Sequence, residues 1–170
     1  MVRRLLCGLV LVTIVGCGGS DDDGSPSATV APPDTTERTT STEALTPEEE
    51  VEAAYLKSWE IYTESLRDFD GSLYPEVYAD EALSSRRAEL ERLKAANTPV
   101  RIEVEHDYSL QIVGEGEQAV VLDQYRNHSV LLDGETGEPI EDDPNTIVRR
   151  QYPMKRIDGK WKIVAILEAP

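Results

Sequence analysis

Cysteine is nearly missing from this chain. Its 170 residues hold two, Cys7 and Cys17, both among the first 17 positions. Nothing downstream carries a thiol, which excludes a disulfide framework, thiolate metal sites and a cysteine nucleophile from any folded part. Positive charge is scarce as well. Seventeen Lys and Arg stand against 33 Asp and Glu, for a formal net charge of −16. Phosphate backbones repel such a surface, so nucleic acid is excluded as a partner, and the acidity serves solubility. Long apolar runs are lacking too. Leu5 to Val15 spans 11 residues, whereas a hydrocarbon core of about 30 Å needs roughly 20. There is no internal repeat, no catalytic signature and no metal-ligand box, so neither a cofactor nor a metal is expected.

What the first 17 residues do contain is ordered by chemistry. Arg3 and Arg4 form a positive flank, Leu5 to Val15 is the short apolar segment, and Ile14-Val15-Gly16-Cys17 follows. The pattern resembles a bacterial lipoprotein signal. The apolar run holds the segment at the membrane, small residues admit the peptidase, and the thiol accepts a diacylglycerol. The resemblance implies a signal over residues 1–16, a lipidated Cys17, and a protein held on the extracytoplasmic side of the cell membrane. An ordinary secretory signal with Cys17 incidental is the competing reading. Loss of Arg3 and Arg4 takes the charge to about −18.

Residues 17–45 read as the lipidated cysteine and a disordered spacer. Ser, Thr, Pro, Ala, Gly and Asp dominate and no aromatic occurs, so too little apolar area is available to offset ordering entropy. Coil scaling gives a mean reach of about 30 Å. Thr35, Thr36, Thr39, Thr40, Ser41 and Thr42 are possible O-glycan acceptors, although an unmodified spacer explains them as well.

Residues 46–170 read as one domain. Thr46-Pro47-Glu48-Glu49 is a helix start, with Thr46 to cap, Pro47 at the first turn and Glu49 to close a capping box. Val51, Tyr55, Trp59, Tyr62, Leu66 and Phe69 then recur every three or four residues as one apolar face, and Asp70-Gly71 stops it. Ser72 to Tyr78 is a short connection broken by Pro75. Asp80 is placed to cap a second helix, Glu81 to Ala96, with Leu83, Leu90 and Leu93 as its stripe. From Val100 the period becomes two, and Val100 to Ile112 is a half-buried strand. Gln118 to Leu132 is the second strand. An acidic loop runs from Asp133 to Asn145. Thr146 to Ile157 is the third strand, in which Pro153 requires an edge or a bulge. Asp158-Gly159 is a hairpin turn, and Lys160 to Glu168 closes the chain with Trp161, Ile163, Ala165 and Leu167 on one face. The sum is an α+β domain, with N-terminal helices packed on a curved four-stranded antiparallel sheet.

The ending, Met154 through Val164 with its Asp158-Gly159 turn and Trp161, resembles members of the nuclear transport factor 2-like (SnoaL-like) superfamily. So do the loop from Asp133 to Pro139 and the helix around Tyr55 and Trp59, which look like actinobacterial lipoprotein members. The resemblance covers about Thr46 to Pro170 and implies a cone-shaped roll. The superfamily includes isomerases, dehydratases and cyclases beside non-catalytic binding and assembly domains. Its enzymes place Asp, His or Tyr inside the cone, and no such set can be carried over here residue by residue.

Few residues offer chemistry. His106 lies in the apolar phase of its strand and is a weak candidate general base. Asp107 adjoins it in sequence but points to the opposite face. A partly buried, satisfied histidine is the plainer reading. His128 lies near a strand end among polar residues. Tyr55, Trp59, Tyr62, Tyr78 and Tyr108, with Tyr74, are candidates to line a ligand pocket, against which stands ordinary core packing. Glu135, Glu138, Glu141, Asp142 and Asp143 crowd one loop, but their spacing is not that of a calcium loop. Arg149, Arg150, Lys155 and Arg156 alternate between faces and read as partners of cross-strand carboxylates.

Three functions remain. The first is a membrane-anchored lipoprotein that binds an envelope protein or a small apolar ligand without catalysis. The second is a SnoaL-like or isomerase-type enzyme using His106 or a buried carboxylate; no paired acid and base is visible for it. The third is an assembly accessory of a cell-envelope complex. Replacing Cys17 by Ser is expected to abolish acylation and release the protein from membranes. Membrane partitioning of Cys17→Ser after signal removal, followed by ultracentrifugation, would overturn the anchor.

Overall fold

A computed structural model describes residues 45–141 and 143–169. The expected signal, Cys17 and the spacer up to Ala44 lie outside the described residues, as do Asp142 and Pro170. The first helix, α1 (Pro47–Asp68), begins as its sequence dictates. The Glu49 amide donates to Thr46 Oγ1 at 3.3 Å and the Thr46 amide to Glu49 Oε2 at 2.8 Å, a complete capping box. It ends where Phe69 turns left-handed at φ 55° and its N–H returns to the Ser65 carbonyl. The buried face is Val51, Tyr55, Ser58, Ile61, Tyr62, Ser65 and Leu66. It is wider than the apolar pattern shows, because Ser58 and Ser65 are small enough to sit against neighbouring elements.

A single turn, α2 (Tyr74–Val77), leads to α3 (Asp80–Ala95). The cap expected from Asp80 is not made. Ala79 occupies the N-cap position, and no side chain bonds there. The free amides are taken from the far end of the chain: Ala79 N–H donates to the Ile163 carbonyl at 2.9 Å and Ala82 N–H to the Val164 carbonyl at 3.0 Å. Backbone groups buried at a helix end need a partner, and here a strand supplies it.

The strands are β1 (Val100–Arg101), β2 (Val104–Val113), β3 (Gln118–Asn127), β4 (Val130–Leu131), β5 (Thr146–Ile157), β6 (Lys160–Ile163) and β7 (Leu167–Glu168). One curved antiparallel sheet has the order β2-β3-β5-β6, with β7 also paired to β5, so it holds five strands rather than four. The two long strands expected at 100–112 and 118–132 are each interrupted. The register survives the interruption, with Val104 opposite Asn127 and Arg101 opposite Val130. Between them the Ser129 hydroxyl takes the Glu103 amide at 3.0 Å. Asp158 (φ 52°) and Gly159 (φ 76°) make the expected turn between β5 and β6, with both positions left-handed.

Pro153 accounts for the break in the last strand. Its carbonyl accepts the Val164 N–H at 2.9 Å, so its missing donor faces the same neighbour. There Val164, Ala165 and Ile166 stand opposite only Tyr152 and Pro153, because Met154 pairs with Ile163 and Gln151 with Leu167. This is a β-bulge, and an extra residue inverts the phase beyond it. Trp161 and Ile163 face inward as expected, but beyond the bulge Ile166 packs on the core and Leu167 is 43% exposed. The expected inward face is therefore corrected at Leu167.

The helices cover the sheet face that carries Ala119, Val121, Tyr152, Met154, Trp161 and Ile163. Glu50 in the first turn of α1 accepts from both Arg156 and Trp161 Nε1, which ties the helix start to the β5–β6 hairpin. Trp161 is 5% exposed, whereas Trp59 is only partly buried. Trp161→Ala is expected to cost about 3–5 kcal/mol and Trp59→Ala less. Leu167→Ser should stay within about 0.5 kcal/mol of wild type. Urea unfolding of the three variants checks this, and a large loss in Leu167→Ser would mean that the bulge is misplaced.

Candidate functional site

Two features stand next to each other inside the roll. The first is a buried carboxylate. Asp123 lies on β3 in phase with Ala119 and Val121, and its side chain is fully buried. Its Oδ2 accepts the Tyr55 hydroxyl at 2.6 Å and faces His106 Nδ1 at 2.7 Å. One donor comes from α1 and the other from β2. A carboxylate removed from water needs such strong partners. Burial, with Tyr152 and Asp123 adding to it, pushes the Tyr55 phenol far above its ordinary value, so Tyr55 acts only as a donor.

In chemical terms Asp123 and His106 are a paired acid and base, which the sequence reading did not foresee. Asp123 orients Nδ1 and leaves Nε2 as the group able to exchange a proton. As expected, Asp107 takes no part; it is exposed on the other face. The His106 ring packs against aromatic neighbours on one side and borders a surface depression with Gln124 and Arg126 on the other. Its centroid lies 4.7 Å from Trp59, 5.8 Å from Tyr125 and 6.2 Å from Tyr55.

The second feature is a cavity of about 250 Å³ between α1, α3 and the sheet. Its apolar wall is Leu66, Leu93, Val100, Ile102, Val104 and Leu131, and its aromatic wall is Trp59, Tyr62 and Tyr125. Arg86 and Glu89 from α3 line it, and the exposed Arg92 and Glu141 stand at its edge. Arg86 Nη1 bonds Glu89 Oε2 at 2.9 Å, and the Tyr62 hydroxyl donates to Glu89 Oε1 at 3.0 Å. The guanidinium stacks 3.7 Å from the Tyr62 ring centre, a cation–π contact. Burial pushes the Tyr62 phenol well up, so it remains a donor to Glu89.

Of the pocket residues expected from sequence, Trp59 and Tyr62 line this cavity. Tyr55 and Tyr74 are wholly buried, and Tyr78 is buried with its hydroxyl on the Ser58 carbonyl at 3.1 Å. Tyr108 lies toward the start of α1, with its hydroxyl on Glu52 at 2.6 Å. His106 does not line the cavity; the two rings that touch it, Trp59 and Tyr125, do. His128 pairs with Asp143 at 2.8 Å. Arg150 meets Glu168 across β5 and β7, Arg149 meets the Gln124 amide, and Arg156 meets Glu50 of α1. In the acidic loop Asp133 accepts the Glu135 and Thr136 amides, which lower its carboxyl. Among the described residues no three His, Cys, Asp or Glu side chains gather as a metal would need. No described helix is long and apolar enough to cross a membrane.

Asp123, Tyr125, Arg86 and Glu89 were missed, and a signal existed for each. Asp123 and Tyr125 continue the inward phase of β3. Arg86 and Glu89 fall between Ala82 and Leu90 on the buried stripe of α3. Charged residues in an apolar phase deserve the same question as His106. Asp123→Ala is expected to cost about 3–5 kcal/mol, because the buried Tyr55 and the half-buried His106 lose their partner. Tyr55→Phe should cost about 1.5–3 kcal/mol, the range for a bond to a charged group. A double-mutant cycle by urea unfolding checks the pair; additive losses would show that the bond contributes nothing.

No family model matches the sequence, and no curated protein does. Solved structures are similar in shape. The intermembrane space region of the chloroplast protein ARC6 superimposes with a TM-score of 0.58 at 16% identity, covering 74% of this chain and 100% of that one. A nuclear transport factor 2-like superfamily protein from Salmonella enterica superimposes with a TM-score of 0.51 at 13% identity, covering 71% of this chain and 91% of that one. At such identity the likeness carries shape alone, and the described domain has the nuclear transport factor 2-like fold.

Proposed function

We propose that this chain is a lipid-anchored extracytoplasmic domain whose cavity holds a small apolar ligand without converting it. The observation that carries the reading is the cavity itself, concave, apolar on one side and aromatic on the other, with a few polar groups fixed by α3. That combination suits a small mixed ligand. The Gly16-Cys17 step and the spacer supply the anchored part of the proposal, because they match what a lipoprotein signal needs.

One observation favours a second reading, an isomerase-type enzyme. Asp123 and His106 form the acid–base pair such a reaction requires. Against it, His106 does not line this cavity and instead borders a separate surface depression with Glu105, Gln124 and Arg126. A general base must come within hydrogen-bond reach of its substrate. A partner protein or an envelope complex is a third occupant for the surface, and nothing in the cavity argues for it.

Native mass spectrometry of the full chain, purified from its own envelope, is expected to show a bound compound of low mass. Trp59→Ala should lose it. The compound should leave the protein chemically unchanged after prolonged incubation. Conversion that stops in Asp123→Asn would replace the binding reading by the enzyme reading, and an empty cavity in every preparation would remove both.

A further inference from the structure

Two exposed leucines stand at helix starts, and both border one groove. Leu45 precedes the N-cap Thr46 of α1. A leucine there commonly packs on the fourth residue of its helix. In α1 that residue is Glu50, which is engaged by Arg156 and Trp161. Leu73 is itself the N-cap of α2 and makes no side-chain bond, at a position that favours Ser, Thr, Asp or Asn. The two leucines stay 58% and 50% exposed. The groove they border holds about 510 Å³ between the start of α1, α2 and the β5–β6 turn, with Ala53, Ile61, Val77 and Trp161 as further lining. Its charged residues are paired at the rim. Glu50 meets Arg156, Lys57 meets Glu60 at 2.8 Å, and Lys160 meets Glu76 at 2.6 Å. On a chain of net charge −16, this one apolar groove has a neutral rim. Leucines kept exposed against local preference mark a contact surface.

We infer that this groove is the face the domain lays on a lipid bilayer, with Leu45 and Leu73 entering the acyl region and a lipid chain occupying the groove. It rests on the anchored reading above and adds which face of the domain meets the membrane. Where the chain enters the domain decides it. Residues 18–44 separate Cys17 from Leu45, and coil scaling gives them a mean reach of about 30 Å. A domain of this length has a radius of gyration of about 14 Å and so spans about 35 Å. The groove begins at Leu45 itself, so the tether holds it near the surface at high effective concentration, and a face on the far side lies at the limit of that reach. Exposed apolar residues elsewhere lack this setting. Leu122 and Ile147 share the outer face of the sheet with Gln124, Arg126 and Arg149. The neutral rim suits a zwitterionic headgroup, which the acidic body does not repel.

The chain from Cys17 onward keeps the whole core, which runs from Val51 to Ile163, and Cys17 is then its single thiol. Coupling that thiol to maleimide-bearing lipid in phosphatidylcholine nanodiscs imposes the tether, whether or not the cell acylates Cys17. Leu, Ile and Val methyl groups are labelled for NMR, and lipids with a nitroxide in the acyl chain broaden those that meet the bilayer. The Leu45, Leu73, Ile61 and Val77 signals are expected to lose at least half their intensity, and Leu122 and Ile147 less than a fifth. Leu73→Ser puts a favoured residue at the N-cap, so the fold holds, and it should reduce the broadening of Ile61 and Val77 threefold or more. Equal broadening of Leu122 and Ile147 overturns the inference, since the tethered domain then has no preferred face. Unbroadened groove signals overturn it, as does undiminished broadening in Leu73→Ser. Groove signals that move with protein concentration in the absence of lipid give the groove to a second copy and overturn it too. The anchor itself stands or falls separately, on the fractionation of Cys17→Ser.

Discussion

The layer at Asp123 sets the geometry of everything above it. A carboxylate with no access to water is tolerable only while its two donors stay in place. Those donors belong to different elements, Tyr55 to α1 and His106 to β2, and they meet the acceptor of β3 at 2.6 and 2.7 Å. The network therefore fixes the rotation and height of α1 over the sheet. One helical turn beyond Tyr55 is Trp59. Two residues beyond Asp123 on the same face is Tyr125, and two residues before His106 is Val104. These three are cavity wall. The cavity begins one layer above the polar lock, and its shape follows from the lock by the 3.6- and 2-residue periods alone.

A second set of contacts holds the first turn of α1. Glu50 gathers Arg156 and Trp161 of the terminal hairpin, and Lys162 reaches the Pro75 carbonyl at 2.7 Å. The same C-terminal stretch caps α3 through the Ile163 and Val164 carbonyls. Pro153 is the reason the stretch can do both. Its missing N–H releases the ladder for one residue, and the bulge turns Val164 toward α3 while β7 rejoins β5. Arg86, two turns into α3, is thereby placed opposite Tyr62. A proline that weakens a strand locally thus helps to position a charged group on the cavity wall.

The elements were legible because each is signalled locally. Thr46 with Glu49 marks a helix start, Asp158-Gly159 marks a hairpin, and the change from period 3.6 to period 2 near Val100 marks where helices give way to sheet. What could not be read were the relations between distant residues. Nothing local to Ala79 says that its helix end will be capped by Val164, so Asp80 looked like the cap. A bulge inserts a phase change that alternation cannot carry across, so Leu167 was placed on the wrong face. The candidate site was half legible. Trp59 and Tyr62 were in the aromatic set, but Tyr55 and Tyr78, from the same set, are spent on internal hydrogen bonds. A lone aspartate in a strand such as Asp123 reads as surface until its phase is compared with Ala119 and Val121.

The position of His106 decides how the buried pair is to be understood. Catalysis by a histidine requires its free nitrogen to reach the reacting atom, and the acid that orients it serves that reach. Here three aromatic rings surround the imidazole, with centroids at 4.7 to 6.2 Å. Two of those rings present their other sides to the cavity. Substrate in the cavity would meet Trp59 and Tyr125 first. The imidazole is itself 18% exposed and borders a separate depression with Gln124, Tyr125 and Arg126. A reactant would reach His106 from that side and not from the cavity. The cavity and the acid–base pair are thus two distinct places in one domain, which share Tyr125 as a lining residue.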